Sequence, residues 1–159
     1  MRRIPSRPRV APDGLSAFTL VELLVVVAIL TILMGLITGG AQMARRKGAI
    51  TAAKAKIASL DTSIAMYESD LGVYPASGNA NLAKALSQGG GEPDWQGPYE
   101  DFKETELVNG ELVDPWGRPY VYVSVNGGSP KHRSNSYDLY SLGPNGTDDD
   151  GTQDDIVNW

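Results

Sequence analysis

The apolar residues of this chain are arranged in three patterns along the sequence. The first is a continuous block of twenty residues from Phe18 to Ile37 that contains one charged side chain. At a helical rise of about 1.5 Å per residue, such a block spans the roughly 30 Å hydrocarbon core of a bilayer. The block therefore predicts a membrane-spanning helix.

The second pattern is a helical stripe in the segment 41–71, which is rich in alanine, lysine and other good helix formers. Apolar residues recur there at spacings of three and four, at Ile50, Ala53, Ile57, Leu60, Ile64, Tyr67 and Leu71. Any helix that faces a core shows such a stripe, so its continuity with the apolar block is the informative feature. The two patterns predict one long helix from about Thr19 to Ser69. Since glycine costs up to about 1 kcal/mol relative to alanine in a helix, weak points are expected at Gly35, Gly39, Gly40 and Gly48.

The third pattern consists of short elements separated by turns. The segment 72–75 breaks the long helix, because glycine favours a helix end and proline cannot extend it. The segment 81–87 predicts a short helix capped by Asn79 or Asn81, and the glycines and proline of 89–93 predict a flexible loop.

Strands are predicted in the C-terminal half. The segments 121–125 and 137–142 are rich in valine, tyrosine and leucine and are separated by the turn-prone sequence NGGSP, which predicts an antiparallel hairpin. The segment 106–113 is a candidate third strand. The predicted fold class is α+β, with a long N-terminal helix packed on a small antiparallel β-sheet.

Composition and charge narrow the classes of protein. The 159 residues, with 42% hydrophobic and 21% charged residues, favour a single domain of ordinary globular composition. The formal charge is −5, although the first seventeen residues carry four arginines and one aspartate, so the remainder is more acidic still. A net negative charge disfavours binding to nucleic acid, because the phosphates are also negatively charged. The absence of cysteine excludes a disulfide framework and a thiolate metal site, but it does not fix the compartment.

The flank that precedes the apolar block is basic. The positive-inside tendency of its four arginines predicts a cytoplasmic N-terminus and a C-terminal domain across the membrane. A cleaved secretory signal peptide is the alternative, although its apolar region usually has about 7 to 15 residues and ends at a small-x-small site.

The block also contains Glu22, and a carboxylate costs about 2.5–3.5 kcal/mol at the centre of a bilayer and less near its edge. Such a group favours a cationic partner.

The start of the block, AFTLVE from Ala17 to Glu22, resembles the class III signal of type IV pilins and pseudopilins, with Ala17 where that family usually has glycine. The resemblance implies that a prepilin peptidase cleaves between Ala17 and Phe18 and methylates the new amine. It also implies that Glu22, the fifth residue of the mature chain, neutralises the N-terminal amine of a neighbouring subunit during assembly.

A more specific resemblance covers nearly everything from Phe18 to Trp159. The motifs occur in the order YP at 74–75, WQGPY at 95–99, DPWGRPY at 114–120, DLYSLG at 138–143 and DIVNW at 155–159. Each motif is weak alone, but their order and spacing resemble those of the major pseudopilins, the G-type subunits of type II secretion systems. The DPWG and GPY motifs are interpreted as turns in which proline fixes the backbone and an aromatic side chain packs against the domain. Their predicted role is structural and not chemical.

The C-terminal segment is acidic and rich in glycine. Five aspartates fall within eight positions, at Asp148, Asp149, Asp150, Asp154 and Asp155, and repel one another unless water or a cation neutralises them. Calcium is bound by about six to eight oxygens from carboxylates, amides, carbonyls and water, but the spacing here is not that of an EF-hand. From composition alone, a solvated acidic loop is the more common interpretation.

The resemblance to major pseudopilins implies instead that this loop binds one calcium ion through aspartates and main-chain carbonyls. Carried over by position, the ligands are the carbonyl of Leu142 and the side chains of Asn145, Asp148, Asp154 and Asp155. Asn145 stands where the family commonly has aspartate, and its amide oxygen can ligate with a lower charge, which leaves Asp148 or Asp150 as an alternative ligand. Calcium is therefore the expected cofactor.

Enzymatic signatures are absent from the sequence. The single histidine, His132, lies in the polar loop GSPKHRSNS, where a surface position is expected. Scattered serine, histidine and aspartate residues do not form a triad without a base in hydrogen-bond reach, and no phosphate-binding loop, HExxH or CxxC motif is present. The protein is predicted not to be an enzyme.

These observations divide the chain into a cleaved basic leader (1–17), the transmembrane and assembly half of the long helix (18–40) and a periplasmic pseudopilin domain (41–159). The expected function is structural: copies pack their helices into a periplasmic pseudopilus that drives protein export across the outer membrane. Before assembly, the chain is expected to cross the inner membrane once, with its N-terminus in the cytoplasm.

The expected partners are further copies of the chain, other pseudopilins, the inner-membrane secretion platform, the prepilin peptidase and the membrane, but not nucleic acid. Two alternatives stay open. One is a type IV pilin of a surface filament, against which the lack of cysteine argues, since such pilins commonly close their C-terminal region with a disulfide. The other is a membrane-tethered calcium-binding module that never polymerises.

Overall fold

The structure is a computed structural model that describes residues 18–89 and 91–159, with residues 36–40 described by their backbone alone. The predicted leader, Ala17 and Gly90 therefore lie outside the described residues. Backbone contacts divide the chain into two compact units, with the boundary between Ala41 and Gln42.

One helix, α1, covers Leu20–Leu71. The predicted long helix is confirmed, and both ends lie within two residues of the expected positions. Its backbone remains helical at all four glycines that were expected to be weak points. Among the residues whose side chains are described, no helical stretch combines the length and the apolar character needed to cross a membrane. The predicted span 18–37 runs into residues 36–40, which lie outside that part of the chain.

In the second unit, the apolar stripe of α1 faces the core, as predicted. Its central members are at most 4% exposed: Ala53, Ile57, Leu60, Ile64 and Tyr67. Ile50 and Leu71 pack against the edge of the same core. The stripe shares this core with side chains from the rest of the unit, among them Leu82, Leu86, Tyr122, Leu139 and Ile156.

A second helix, α2, covers Asn79–Ser87. The prediction of a helix here is confirmed, but the prediction that Asn79 or Asn81 caps it is wrong, since the capping position is Gly78. Asn79 is buried, donates to the carbonyls of Leu112 and Tyr120 at 2.8 and 2.7 Å, and accepts from the Leu112 amide at 2.7 Å. Its side chain thus satisfies buried backbone groups of residues 112 and 120 and is directed to them and not to the first turn of α2.

The main sheet has three antiparallel strands. The predicted hairpin is confirmed as β3 (Val121–Ser124) and β4 (Tyr137–Ser141), with Val121 opposite Tyr140. The third strand is β5 (Ile156–Val157), which pairs with the end of β4. With α1 packed on this sheet, the predicted α+β fold is confirmed.

The segment 106–113 does not supply the third strand, so this prediction was wrong. It forms a separate two-stranded hairpin of β1 (Leu107–Val108) and β2 (Glu111–Leu112). The reason is the turn between them, where Asn109 and Gly110 adopt φ values of 54° and 83°. Asn-Gly is the preferred pair for a tight hairpin turn with two positive φ angles.

Lys56 ties the loop that precedes β1 to helix α1. Its Nζ lies 3.0 Å from Oε1 of Glu100 and 2.8 Å from Oε1 of Glu106, and the Lys56 and Glu100 side chains are 17% and 13% exposed. Burial alone would raise the pKa of Glu106, but the hydrogen bonds from Lys56 and the Lys103 amide, with the charge of Lys56, hold that pKa below its usual range.

We expect Lys56→Met to lower the free energy of unfolding by about 2 kcal/mol at neutral pH, since two partly buried carboxylates lose a charged hydrogen-bond donor. Because the pKa of Glu106 is lowered by folding, its contribution is present above the ordinary glutamate pKa and is lost as pH falls through the lowered value. Denaturant titrations of the full chain in detergent, from pH 7 to about pH 3, should show the difference from wild type shrinking.

Lys54→Met is the matched control, because Lys54 lies on the same helix, is exposed and makes no ion pair with the described residues. An equal loss of stability in both variants would contradict the role given to Lys56.

Candidate assembly and cation-binding sites

The first turn of α1 is closed by a reciprocal pair of side-chain and backbone hydrogen bonds. The amide and hydroxyl of Thr19 donate to Oε2 of Glu22 at 3.0 and 2.9 Å, and the Glu22 amide donates to the Thr19 hydroxyl at 3.2 Å. This is a capping box, which satisfies amide groups that a helix N-terminus leaves without an intrahelical partner. The Glu22 carboxylate therefore already stabilises the helix within one subunit, a role that the sequence interpretation missed.

The first unit exposes a large apolar surface. Phe18 is 79% exposed, and most apolar side chains of the following four turns are 48–80% exposed, among them Leu20, Val21, Leu23, Leu24, Val25, Val26, Val27, Ile29, Leu30, Ile32 and Leu33. Contiguous apolar patches of this extent mark surfaces that interact with protein or membrane. Within the described residues of this unit, the helix therefore presents an apolar surface that favours an apolar environment.

All predicted calcium ligands lie in the segment 142–155, which connects β4 to β5 and is called here the acidic loop. The loop opens with a tight turn in which the Gly146 amide donates to the Leu142 carbonyl at 3.2 Å. Gly143 has a φ of 60°, and a Cβ there would collide with the main chain of Asp154. The two ends of the loop are therefore in direct contact.

Asp155 organises the second half of the acidic loop. Its Oδ2 accepts hydrogen bonds from the amides of Asp149 and Gly151 at 3.0 and 2.9 Å. Its Oδ1 is buried and has no hydrogen-bond partner within the described part of the chain. Burial raises the pKa of this carboxyl, and the carboxylates of Asp149 and Asp148 raise it further against the effect of the two amides. An ionised Asp155 thus presents a buried carboxylate oxygen that accepts no hydrogen bond from the described residues.

Two of the predicted residues, Asn145 and Asp154, lie in the same hydrogen-bond network as Asp155. The Asn145 amide donates to Oδ2 of Asp154 at 2.8 Å, and Asn145 Nδ2 donates to Oδ2 of Asp149 at 2.9 Å. Asp148 is placed differently, because its Oδ2 accepts from the Tyr140 hydroxyl at 3.2 Å at the exposed surface. Asp149 was not among the predicted ligands, since the spacing of three consecutive aspartates does not indicate which of them turns inward.

The geometry does not amount to a preformed metal centre. Across residues 18–89 and 91–159, no three carboxylate or imidazole groups lie close enough together to hold a metal ion by themselves. The donor chemistry nevertheless fits calcium, which accepts carboxylate, amide and main-chain oxygens in flexible arrangements. The buried Oδ1 of Asp155 is the observation that favours a cation over a merely solvated loop.

The DPWG motif forms a turn, as predicted, and the structure places this turn beside the acidic loop. The Gly117 amide donates to the carbonyl of Asp114 at 2.9 Å, and the Asp114 carboxylate is 4% exposed. Its Oδ1 accepts from the amides of Trp116 and Arg118, and its Oδ2 accepts from the hydroxyl of Ser141 at 2.6 Å. Asp114 therefore fixes the turn to the end of β4.

His132 lies at the surface, as predicted. Its ring stacks on Trp159 with the centroids 4.1 Å apart and the planes 12° apart. The imidazole thus takes part in aromatic packing at the C-terminus.

Comparison with known proteins gives matches to two families. Residues 42–159 match the family described as type II secretion system (T2SS), protein G, and residues 16–38 match the prokaryotic N-terminal methylation motif. The two matches cover adjacent parts of the chain.

Two individual relatives match the same family by sequence. The chain is 33% identical to type II secretion system core protein G of Pseudomonas aeruginosa strain PAO1, over 91% of this chain and 94% of that protein. It is 31% identical to the protein of the same name from Escherichia coli K12, over 94% of each. A crystal structure of the major pseudopilin from the type 2 secretion system of enterohaemorrhagic Escherichia coli aligns with a TM-score of 0.46 and 24% identity, over 74% of this chain and 92% of that one.

Proposed function

Because the chain belongs to the type II secretion system protein G family, whose members are structural subunits of the pseudopilus and not enzymes, we propose that it polymerises through its N-terminal helix. Growth of the resulting periplasmic filament then drives protein export across the outer membrane. The observation that carries this proposal is the N-terminal methylation motif directly followed by the protein G domain in one chain.

The exposed apolar surface of α1 supports a membrane anchor that is later buried in a filament. Lipid covers this surface before assembly, and helices of neighbouring copies cover it afterwards. Residues 18–40 serve as the transmembrane and assembly segment, and residues 41–159 form the periplasmic domain. The four arginines of the leader favour a cytoplasmic N-terminus in the inner membrane.

The proposed partners are the proteins that process the membrane-anchored chain and assemble it into the filament. A prepilin peptidase removes residues 1–17 and methylates Phe18, and the platform of the secretion system in the inner membrane adds subunits to the filament. Other pseudopilins join the same filament. Glu22 pairs with the N-terminal amine of a neighbouring subunit, because a carboxylate at this depth gains most from a cation.

The acidic loop binds one calcium ion in this proposal. Asp155 supplies the buried carboxylate, Asn145 and Asp154 supply further side-chain oxygens, and Leu142 supplies a main-chain carbonyl. Asp149 is a better placed contributor than Asp148, since its carboxylate already contacts Asn145. The bound ion neutralises carboxylates that otherwise repel one another, and so it stabilises the C-terminal part of the domain.

The proposed processing is tested by the intact mass of the protein, extracted from membranes of cells with and without prepilin peptidase. We expect a mass corresponding to residues 18–159 plus one methyl group, and only in cells that contain the peptidase. Ala17→Gly is the matched control, because it restores the residue that pilin-like signals usually have before the cut, and it should give the same product.

The other outcomes separate the alternatives. A full-length mass in both strains would leave a membrane-tethered domain that is never processed. A cut at a different position would indicate an ordinary signal peptide and would contradict assembly through a retained helix.

A further inference from the structure

Arg118 reaches from the DPWGRPY turn into the first half of the acidic loop, residues 142–146. Its Nη1 donates to the carbonyl of Gly143 at 2.6 Å, and its Nη2 lies 3.5 Å from the carbonyl of Pro144. The two carbonyls that it contacts lie between Leu142 and Asn145, which are two of the proposed calcium ligands. The guanidinium therefore acts on the main chain that must present those ligands.

The same guanidinium also packs closely against Gly146. A Cβ at Gly146 would collide with the Cζ, Nε and Nη1 atoms of Arg118, so only glycine allows this approach. Gly146 also has a φ of 71°, a conformation that favours glycine. The loop and the arginine thus fit together on two sides, at the carbonyls and at the glycine.

The position of Arg118 itself is fixed. Its amide donates to Oδ1 of Asp114 at 2.9 Å, and its carbonyl accepts from the Asp114 amide at 2.8 Å. The other oxygen of Asp114 accepts from Ser141, whose hydroxyl in turn accepts from the Gly143 amide at 3.1 Å. A chain of buried hydrogen bonds therefore joins the base of Arg118 to the start of the loop that its side chain holds.

We propose that Arg118 is a positioning residue that holds residues 142–146 in their folded form before any cation binds, so that calcium meets a partly ordered site. This inference rests on the calcium site proposed above. Protein groups that orient metal ligands without touching the metal commonly change metal affinity by about 10- to 100-fold when they are removed.

Two effects of Arg118 on calcium act in opposite directions. Its positive charge repels the ion. Its hydrogen bonds to two carbonyls order the loop beforehand, so that less of the free energy of calcium binding is used to order it. Lysine keeps the charge but lacks the planar fork that contacts two carbonyls and lies against Gly146. The pair Arg118→Lys and Arg118→Met therefore separates the two effects.

The test is a titration of the full chain in detergent with calcium chloride, followed by calorimetry. We expect both Arg118 variants to bind calcium about 10-fold more weakly than wild type. In a chelator, amide hydrogen exchange of Gly143, Asn145 and Gly146 should be faster in both variants. Arg133→Met is the control, because Arg133 lies over the Tyr137 ring outside the acidic loop, and it should leave both measurements unchanged.

The possible results are distinguishable. Equal calcium affinity in wild type and both Arg118 variants would overturn the inference and leave the calcium proposal intact, even if the variants melt at a lower temperature. Tighter binding by Arg118→Met with an unchanged Arg118→Lys would show that only charge matters, and would also overturn it. Failure of wild type itself to bind calcium would overturn the calcium proposal together with this inference.

Discussion

Removal of calcium is expected to lower the thermal midpoint of the full chain by about 10 °C. A ligand that binds only the folded state adds about 2.7 kcal/mol at one hundred times its dissociation constant. For a domain of the size of residues 42–159, each kcal/mol corresponds to roughly 4 °C. The effect is large because no cysteine is available to crosslink this small domain, so the acidic loop depends on noncovalent contacts and the ion.

Asp155→Asn tests whether calcium stabilises the domain through Oδ1 of Asp155, which has no hydrogen-bond partner among the described residues. The folded-state pKa of Asp155 is raised, so in a chelator its ionised form disfavours folding at neutral pH, and the loss of that charge should cost little. In calcium, the variant should lack most of the 10 °C gain. Asp101→Asn, at an exposed position, is the control and should retain the gain. Midpoints measured by circular dichroism in calcium and in chelator give both comparisons.

A midpoint that is the same in calcium and in chelator for wild type would rule out a structural calcium ion. A full gain in Asp155→Asn would show that calcium stabilises the protein without the Asp155 carboxylate, and would contradict the role given to Asp155.

The elements that sequence patterns predicted are those whose side chains repeat. The stripe from Ala53 to Tyr67 fixes both the presence of α1 and the face that it buries, because a period of three to four residues has only one structural interpretation over that length. The β3-β4 hairpin was predictable for a similar reason, since two β-rich runs flank a turn-prone segment.

The errors arose where one residue decides the local structure. Asn79 matched the composition of a helix cap, but a single buried asparagine can satisfy three backbone groups of a distant segment, and tertiary structure alone reveals them. The pair Asn109-Gly110 is a recognisable hairpin signal that was read as part of a strand. Strand β5 has only two residues, too few for any periodicity, and its pairing with β4 depends on the closure of the acidic loop.

The candidate cation site was predictable as a segment but not as a set of ligands. Consecutive aspartates have equal chemistry, and the difference between Asp148 and Asp149 lies in the direction that the backbone gives each side chain. The contribution of Arg118 was hidden for a different reason, since it lies 25 residues before the carbonyl that it contacts.

Replacement of Glu22 is expected to abolish filament assembly while it leaves membrane localisation intact. In the filament interpretation, the carboxylate must meet the amine of a neighbouring Phe18 inside an apolar environment, where an unpaired charge is costly. Glu22 also completes the capping box with Thr19, so Glu22→Ala removes two functions at once. Glu22→Gln separates them, because glutamine also serves in a capping box but carries no charge.

Both variants should therefore be found in the inner membrane in normal amounts and should give no detectable filaments by electron microscopy or chemical crosslinking. Thr19→Ala is the complementary control: it removes the cap, worth about 1 kcal/mol, but keeps the carboxylate, and filaments should still form. Normal assembly of Glu22→Ala would show that the amine of the neighbouring subunit does not need this carboxylate. Assembly by Glu22→Gln but not by Glu22→Ala would assign Glu22 to the helix cap alone, and a different group would then have to neutralise the amine that the peptidase creates at Phe18.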